Sequence, residues 1–467
     1  MNLEDLKHAE NFRDRISTVT KSGSRNWIYA LKPTGKYYKL RNYSSLIYLL
    51  IFFSLPLIKL NGEPFFLLNF PEGKFIIYGK IFWPQDFFIF AVAMITFIIF
   101  IALFTVIYGR LFCGWACPQT IFMEMVFRKI EWWIEGSGNQ QRTLNDKPWD
   151  LEKITKKFIK HSVFLLISFL IANTFLSYII GIDELYKIIR ESISEHLNLL
   201  SGLIIFTLLF YGVFAYVREI VCTTVCPYGR LQSVLFDKDT MQIAYDYSRG
   251  EPRGKVTKGE ERKLGDCIDC KKCVYVCPTG IDIRDGVQME CVGCTACIDA
   301  CDEVMDKLSF PKGLIRYASE NEILHKRKFH FNTRMKAYTG ALGFLLIFMS
   351  ILIITRRSID SSVMRAQGQL YQELDSISIS NLYTAKIINK TSKNQKVDLK
   401  LEESNGKIQY VGHEELILKP ESIHEIEFFV VFNKTDIVNR KNDIHLNVFQ
   451  DGERIQRIST NFLGPYK

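Results

Sequence analysis

No cysteine is left over in this chain once its motifs have been counted. All twelve fall into regular spacings and none remains for a structural disulfide, the usage expected of thiols that face a reducing compartment. The first 43 residues lack the short apolar run and small-residue cleavage site of a signal peptide. They are polar and basic instead, with nine Lys or Arg against four Asp or Glu. No Walker-type loop is present and no G-x-G-x-x-G follows a strand, so no flavin or nicotinamide site of those kinds is read. The histidines form no constellation. His161 and His196 open the third and fourth apolar stretches at opposite membrane faces, so they read as interfacial side chains that do not bracket one haem. A net charge of +9 spread over 467 residues speaks for membrane orientation and against nucleic-acid binding. Electrons must therefore come from another protein or from a membrane quinol.

What the chain does have is concentrated between Cys267 and Cys301, CIDCKKCVYVCPTGIDIRDGVQMECVGCTACIDAC. Two runs of C-x2-C-x2-C-x3-C follow one another. Four thiolates wrap an iron-sulfur cube when three come from a tight loop and the fourth arrives from elsewhere. In bacterial ferredoxins of this spacing the fourth cysteine of each run serves the other cluster. One [4Fe-4S] cluster is therefore assigned to Cys267, Cys270, Cys273 and Cys301, and a second to Cys291, Cys294, Cys297 and Cys277. Pro278 follows the first run as the pattern expects, whereas Asp302 follows the second and weakens the turn signature without removing a ligand. Zinc sites take cysteine pairs across longer spacers, and so dense a set would scramble as disulfides.

Apolar and charged blocks alternate along the rest. Phe87–Tyr108, Ser162–Ile182 and Leu197–Val217 are uncharged runs of 22, 21 and 21 residues, and Ala337–Thr355 is one of 19. Each is long enough to cross the ~30 Å hydrocarbon core. A shorter first crossing is expected at 44–60, where Ser44–Ile58 contains Pro56 and Lys59 snorkels to the headgroups. Five helices result. Residues 109–160 carry nine Lys or Arg and 218–336 carry twenty, against two each in 61–85 and 183–195. By the positive-inside rule the N-terminus (1–43), the middle loop and the segment 218–336, with a ferredoxin domain at about 258–310, face the cytoplasm, and the tail faces outward. Arg356 and Arg357 run against that count. From about 365 to 467 the pattern becomes strand-like at Lys386–Ile388, Lys396–Leu401, Ile408–Val411, Glu425–Phe432 and Ile444–Phe449. Turn residues at 404–406 and 451–452 separate the runs, the arrangement of an immunoglobulin-like β-sandwich without a disulfide.

Four cysteines remain. Cys113 and Cys117 lie in RLFCGWACPQT after the second span, and Cys222 and Cys226 in REIVCTTVCPYGRLQ after the fourth. Both motifs are C-x3-C-P at the same point of a two-helix hairpin, which reads as an internal repeat. Thiols at i and i+4 share a helix face, and Pro118 and Pro227 break or restart the helix beside them. If the hairpins pack side by side, four soft thiolates converge, a donor set suited to Cu(I), zinc or iron-sulfur centres. Two other readings stay open: a dithiol that cycles through a disulfide, and inert thiols whose pKa is raised by apolar surroundings. Met123 and Met125 are thioethers close enough in sequence to add ligands, although such residues also serve as packing.

The segments RNWIYALKPTGKYYKLR, RLFCGWACPQTIFMEMVFRKIEWWIEG, VCPYGRLQ, GIDIRDGVQMECVGCTACIDACD and NFLGP together resemble the FixG/CcoG family, from about residue 20 to the C-terminus. The resemblance implies a multi-pass protein of the bacterial cytoplasmic (inner) membrane: a bundle of about five α-helices, a cytoplasmic 2x[4Fe-4S] ferredoxin domain and a periplasmic FixG-type Ig-like domain. It implies further a part in assembling cbb3-type cytochrome c oxidase, with Cu(II) reduced to Cu(I), alongside oxidase assembly factors and a copper transporter or chaperone. Cys113, Cys117, Cys222 and Cys226 would then be the copper-reducing or copper-binding thiols, fed by a quinol or a soluble reductase. Membrane subunits of quinol dehydrogenases share similar motifs, so a quinol-oxidising relay is the alternative, and a non-catalytic redox sensor or assembly scaffold a third.

Overall fold

The computed structural model describes residues 18 and 24–465, apart from 61, 71–72, 83–85, 192–195, 256–263, 327–329, 367, 369, 392, 404, 413–415, 421, 438 and 451. The turn residues Ser404 and Asp451, and most of the basic stretch before Ser24, lie outside the described residues. The chain divides into two compact units, Met1–Ile58 with Phe90–Phe348, and Lys59–Ile89 with Met349–Lys467.

Among the described residues, five helices are long and apolar enough to cross a membrane. They are α1 (Lys36–Ser54), α2 (Phe87–Tyr108), α3 (Leu151–Ile180), α4 (Leu197–Gly212) and α5 (Thr333–Ile354). A 3-10 turn at Leu55–Leu57 extends α1, and a π turn at Val213–Val217 extends α4. The structure thus has a multi-pass helical part. α2 coincides with its apolar run, but α1 and α3 begin well before Ser44 and Ser162. Hydropathy marks what lipid covers, not where the backbone first coils. The start of α3 is fixed by Asp150, whose carboxylate accepts the Lys153 N–H at 2.8 Å. The start of α1 is fixed by a distant residue: Asp299 accepts the N–H groups of Tyr37 (3.1 Å) and Tyr38 (2.7 Å). Gly35, at φ 146°, leaves the space that this carboxylate occupies.

In the first unit, α1, α3, α4 and the π-helical segment Ile121–Phe127 close around Phe52, Phe122, Phe127, Phe164 and Phe214. Phe127 stacks on Phe214 at 4.6 Å and meets Phe164 edge-on at 4.8 Å, geometries that add to simple burial. Beyond the spans, the antiparallel strands Gln242–Tyr245 and Ile315–Ala318 accompany two helices, Lys272–Tyr275 and Ala296–Lys307. Ile243, Ile283, Ile298, Met305 and Leu314 pack this region around its cysteines. An N-terminal strap runs along it, with the Leu31 N–H bonded to the Tyr275 carbonyl at 2.9 Å.

The second unit is built on two antiparallel sheets. One runs Lys407–Tyr410, Ile423–Asn433, Ser378–Asn389, Ile359–Arg365, with Gln372–Glu373 also on Ser378–Asn389. The other runs Leu416–Leu418, Gln395–Leu401, Lys441–Gln450, Glu453–Leu463. Tyr383, Phe428, Val430, Leu446 and Phe462 fill the core between them. All five alternating runs read from the sequence are strands. Among the described residues four further strands of this C-terminal region escape that reading, and its β-structure begins at Ile359 rather than about 365. Ile359–Arg365 shows why: it is a strand with buried residues at alternate positions, yet three of them are Ile359, Ser361 and Val363, a pattern diluted by serine. Residues 66–82 add a small three-stranded meander in the same unit. Here Arg356, an exception to the positive-charge count, is paired: its guanidinium meets Asp86 at 2.7 Å, and Lys390 meets the same carboxylate at 2.7 Å.

Candidate iron-sulfur and thiol sites

The ferredoxin loops owe their shape to an unusual backbone. Asp269 and Lys271 flank Cys270 at φ 54° and 56°, and Gly293 and Thr295 flank Cys294 at φ 68° and 63°. Left-handed residues on both sides of the middle cysteine curl each loop so that N–H groups turn inward. The Gly293 N–H is directed at the Cys291 sulfur and the Ala296 N–H at the Cys294 sulfur. The strain of non-glycine residues in this region persists where surrounding structure enforces it, and such residues cluster at functional sites.

Two cavities adjoin. Cys267, Cys270, Cys273 and Cys301 all line one, and Cys277, Cys291, Cys294 and Cys297 all line the other, which Cys273 also touches. In each cavity the fourth thiol comes from the other run: Cys301 stands on helix Ala296–Lys307, and Cys277 follows helix Lys272–Tyr275. Among the described residues no three Cys, His, Asp or Glu side chains close tightly enough around one point to hold a single metal ion. The donors are soft and grouped in fours around cavities, which suits a polynuclear cluster rather than a mononuclear ion. Burial pushes the Cys273, Cys291 and Cys301 thiols up to about 12 and Cys294 to about 11. As free groups they are neutral at pH 7, and metal loading displaces their protons.

The four C-x3-C-P cysteines converge as well. Cys222 lies within electrostatic range of Cys117, Cys113 and Cys226, and Cys113 within range of Cys117 and Cys226. The two motifs share one local geometry. Cys117 (φ −65°, ψ 126°) and Cys226 (φ −67°, ψ 114°) are each the N-cap of a helix that restarts at the following proline. Cys113 sits on the short helix Leu111–Trp115 and Cys222 on the π-helical Val221–Val225. The N–H groups of Gln119 and Thr120 point to the Cys117 sulfur, and the Cys113 thiol donates to Gln232 Oε1 at 3.4 Å. Burial raises Cys113 to about 11 and Cys222 to about 12.

This quartet is fastened to the ferredoxin. Cys113 and Cys222 pack against the small apolar cluster to which Val276, Val292, Cys294, Ala296 and Ala300 belong. A Cβ on Gly114 would stand 2.5 Å from the Gly293 carbonyl oxygen, and one on Gly293 would stand 2.6 Å from the Arg110 carbonyl oxygen. Glycine on both sides permits backbone-on-backbone contact. Arg110 ties three loops together, donating to the carbonyls of Met289, Cys291 (3.4 Å) and Gly229. Met123 lies in the phenylalanine core, and Met125 is buried in the same segment. His161 Nδ1 meets the Tyr211 hydroxyl at 2.9 Å.

Sequence reasoning passed over Arg110, Gly114, Thr120, Gln232 and Gly293, and also a buried ionic cluster. Arg218 forks onto Glu131 at 3.0 and 2.7 Å, Lys160 approaches Glu131 and Glu135, and Arg128 bridges Glu124 and Glu219. A signal existed: each C-x3-C-P motif carries an arginine a few residues upstream (Arg110, Arg218) and a glutamine downstream (Gln119, Gln232).

Fold and thiol sites together define a multi-pass membrane protein with ferredoxin-type iron-sulfur domains and an Ig-like β-domain. Family models agree with each part: a 4Fe-4S dicluster domain over 217–320, a 4Fe-4S binding domain over 90–136, and the Ig-like fold at the C-terminus of FixG over 349–465. The chain is 34% identical to protein RdxA of Cereibacter sphaeroides, over 73% of each chain. It is 32% identical to RdxB of the same organism, over 78% of this chain and 80% of that one. The nitrogen fixation protein FixG of Rhizobium meliloti is 34% identical over 63% of this chain and 57% of its own. The chain belongs to the FixG/Rdx family of iron-sulfur electron-transport proteins.

Proposed function

We propose that this protein carries single electrons from a cytoplasmic donor to the C-x3-C-P thiols, where Cu(II) is reduced to Cu(I) for assembly of a cbb3-type cytochrome c oxidase. The observation that carries the reading is the contact of Gly114 with Gly293, which presses the Cys113 and Cys222 motifs onto the loop bearing Cys291 and Cys294. In this reading Cys267, Cys270, Cys273 and Cys301 hold one [4Fe-4S] cluster, and Cys277, Cys291, Cys294 and Cys297 the other. Bound there, the clusters supply one-electron carriage. The chain's own residues shield the thiols from water, aim N–H groups at the sulfurs and fix the spacing of the groups.

Copper is the substrate: each Cu(II) gains one electron, drawn from a membrane quinol or a soluble reductase. A soft thiolate environment favours Cu(I) over Cu(II) and so promotes that reduction. The ferredoxin domain lies in the cytoplasm and the Ig-like domain in the periplasm, as the Lys and Arg balance of the loops supports. The Ig-like domain is a docking or spacer module for assembly partners or a copper carrier. The test is anaerobic. The purified protein is reduced chemically, Cu(II) is added, and visible absorbance is followed with a Cu(I)-specific chelator. Stoichiometric oxidation with Cu(I) appearing in the wild type, but not when Cys113, Cys117, Cys222 and Cys226 are all serine, supports the reading. Absorbance that stays reduced, or equal rates in the two proteins, refutes it and favours the quinol relay.

A further inference from the structure

We infer that Arg41 and Arg110 are positioning residues for the second cluster, the one assigned to Cys277, Cys291, Cys294 and Cys297, and that their charge holds its reduction potential above that of the first. The inference deepens the proposed electron relay and rests on it only in taking the two ferredoxin quartets as cluster sites.

Three observations carry it. First, both arginines are buried, Arg41 at 5% and Arg110 at 7% exposure, and both lie near the second quartet. Arg110 is within electrostatic range of Cys291 and lines a small cavity with it and Gly293. Arg41 is within range of Cys294. Second, their hydrogen bonds go to neutral oxygens. Arg110 donates to the carbonyls of Met289, Cys291 and Gly229, and its Nε has no partner. Arg41 donates from Nε to the Gly114 carbonyl at 3.1 Å. Among the described residues no carboxylate pairs with either guanidinium. Glu124, which also faces Cys294, is engaged by Arg128 at 3.3 Å. Third, the first quartet is arranged the other way. Arg284 lines its cavity but is neutralised, by Asp269 at 2.5 Å and by Asp282 at 2.6 and 2.8 Å. Lys272 there pairs with Glu303 at 2.7 Å, and Lys271 is exposed to water. The Tyr245 hydroxyl, on the same cavity, gives its proton to Glu251 at 3.2 Å.

A buried charge without a partner is costly, so these two arginines call for an anion. An oxidised [4Fe-4S] core with its four thiolates carries a net charge of about −2, and one further electron makes it about −3. A fixed cation nearby stabilises the second state more than the first, which raises the potential. Burial opposes this, because it disfavours added charge. Inside a protein, however, each cation acts about four times as strongly as in water, and two act here. Both arginines keep their protons throughout, so the step is one electron from an added reductant and no proton. Cys294 shares a small apolar cluster with Cys113 and Cys222, so the favoured site is the one beside the C-x3-C-P thiols.

The test is a copper-free titration with dithionite, followed by electron paramagnetic resonance, on full-length protein in detergent carrying about eight irons per chain. Two waves are expected, the upper favoured at least about tenfold, which for one electron is a separation of about 59 mV. Arg41→Gln and Arg110→Gln should each lower the upper wave and leave the lower one in place, whereas Arg41→Lys and Arg110→Lys should restore it. Asp282→Asn, which takes a carboxylate from Arg284, should raise the lower wave alone. A joint that is merely loosened admits water and raises the upper wave, so the sign of the shift separates charge from structure. Retained iron shows that a variant folds, and if one arginine variant loses iron, the other and Asp282→Asn decide. A single wave overturns the inference, as does an upper wave that the glutamine variants leave in place or raise, or one that answers to Asp282→Asn. Since no copper is present, shifts as expected without Cu(I) production in the separate assay would sink the proposed function alone. Unmoved waves with Cu(I) production would sink only this inference.

Discussion

Replacing Gly114 by alanine probes the joint between the C-x3-C-P motif and the ferredoxin with a single methyl group. The new Cβ would lie 2.5 Å from the Gly293 oxygen, 2.7 Å from the Gly293 carbonyl carbon and 2.8 Å from the Val292 oxygen. All three are backbone atoms, so no rotamer change relieves the clash. Restoring ordinary van der Waals distance demands that the two loops part by roughly 1 Å, in a range where overpacking costs about 1–3 kcal/mol. Arg110 raises the resistance, because it grips the carbonyls of Cys291 and Gly229 across the same joint. The expected outcome is a lower midpoint of thermal unfolding for the detergent-purified protein, and slower Cu(I) production with the ferredoxin iron retained. Gly340→Ala is the control, since nothing lies within 4 Å of a Cβ there and helix α5 gains from alanine. If Gly114→Ala melts and turns over like the wild type, the backbone contact does not join the two sites and the argument built on it fails.

Two further predictions concern buried charge. Asp86 is the shared partner of Arg356 and Lys390, and although burial raises its pKa, these two cations outweigh that effect and hold it below 3.8. A depressed carboxylate pKa contributes stability that is present above pH 3.8 and lost as pH falls through the folded value. Asp86→Asn should therefore destabilise the β-rich unit by about 3–5 kcal/mol at pH 7, with the gap to wild type closing in acid, as denaturant melts at pH 7 and pH 3 will read. Equal melts at pH 7 would count against it. Glu131, 2% exposed, is held below its ordinary pKa because Arg218, Lys160 and Arg128 outweigh burial. Glu131→Gln strands the Arg218 guanidinium and should cost about 3–5 kcal/mol, whereas removing both charges in Glu131→Met/Arg218→Leu should recover part of that loss in thermal melts. A neutral single variant would show that the ion cluster contributes no stability.

How much was legible beforehand follows from which interactions are local. The uncharged run Phe87–Tyr108 is a helix over its whole length because nothing but lipid-compatible side chains decides it. The alternation in Lys396–Leu401 and Ile444–Phe449 shows because each strand buries one face. The start of α1 was invisible, since its cap is Asp299, a residue of the ferredoxin helix far along the chain. Strand Glu453–Leu463 hid for a related reason: most of its residues are only partly buried, so its polar and apolar positions do not separate.

The thiol site divides along the same line. Spacing alone tells which cysteines share a loop, because three ligands within seven residues are a local fact. It says nothing of what brings separate loops together. Gly114 sits inside C-G-W-A-C and Gly293 inside C-V-G-C, and each reads locally as a turn residue. Only their juxtaposition shows why neither carries a side chain: a Cβ on Gly114 would strike the Gly293 carbonyl, and one on Gly293 would strike the Arg110 carbonyl. Arg110 likewise reads as one more basic residue at a membrane edge, and its three carbonyl acceptors come from two separate stretches of chain. The two matched motifs have an arginine ahead and a glutamine behind their thiols, and in the fold Arg110 grips the Gly229 carbonyl, Gln232 accepts from the Cys113 thiol and Arg218 pairs with Glu131. What repeats around a ligand pair, and not the pair alone, is therefore the sequence signal for a site built from two distant halves.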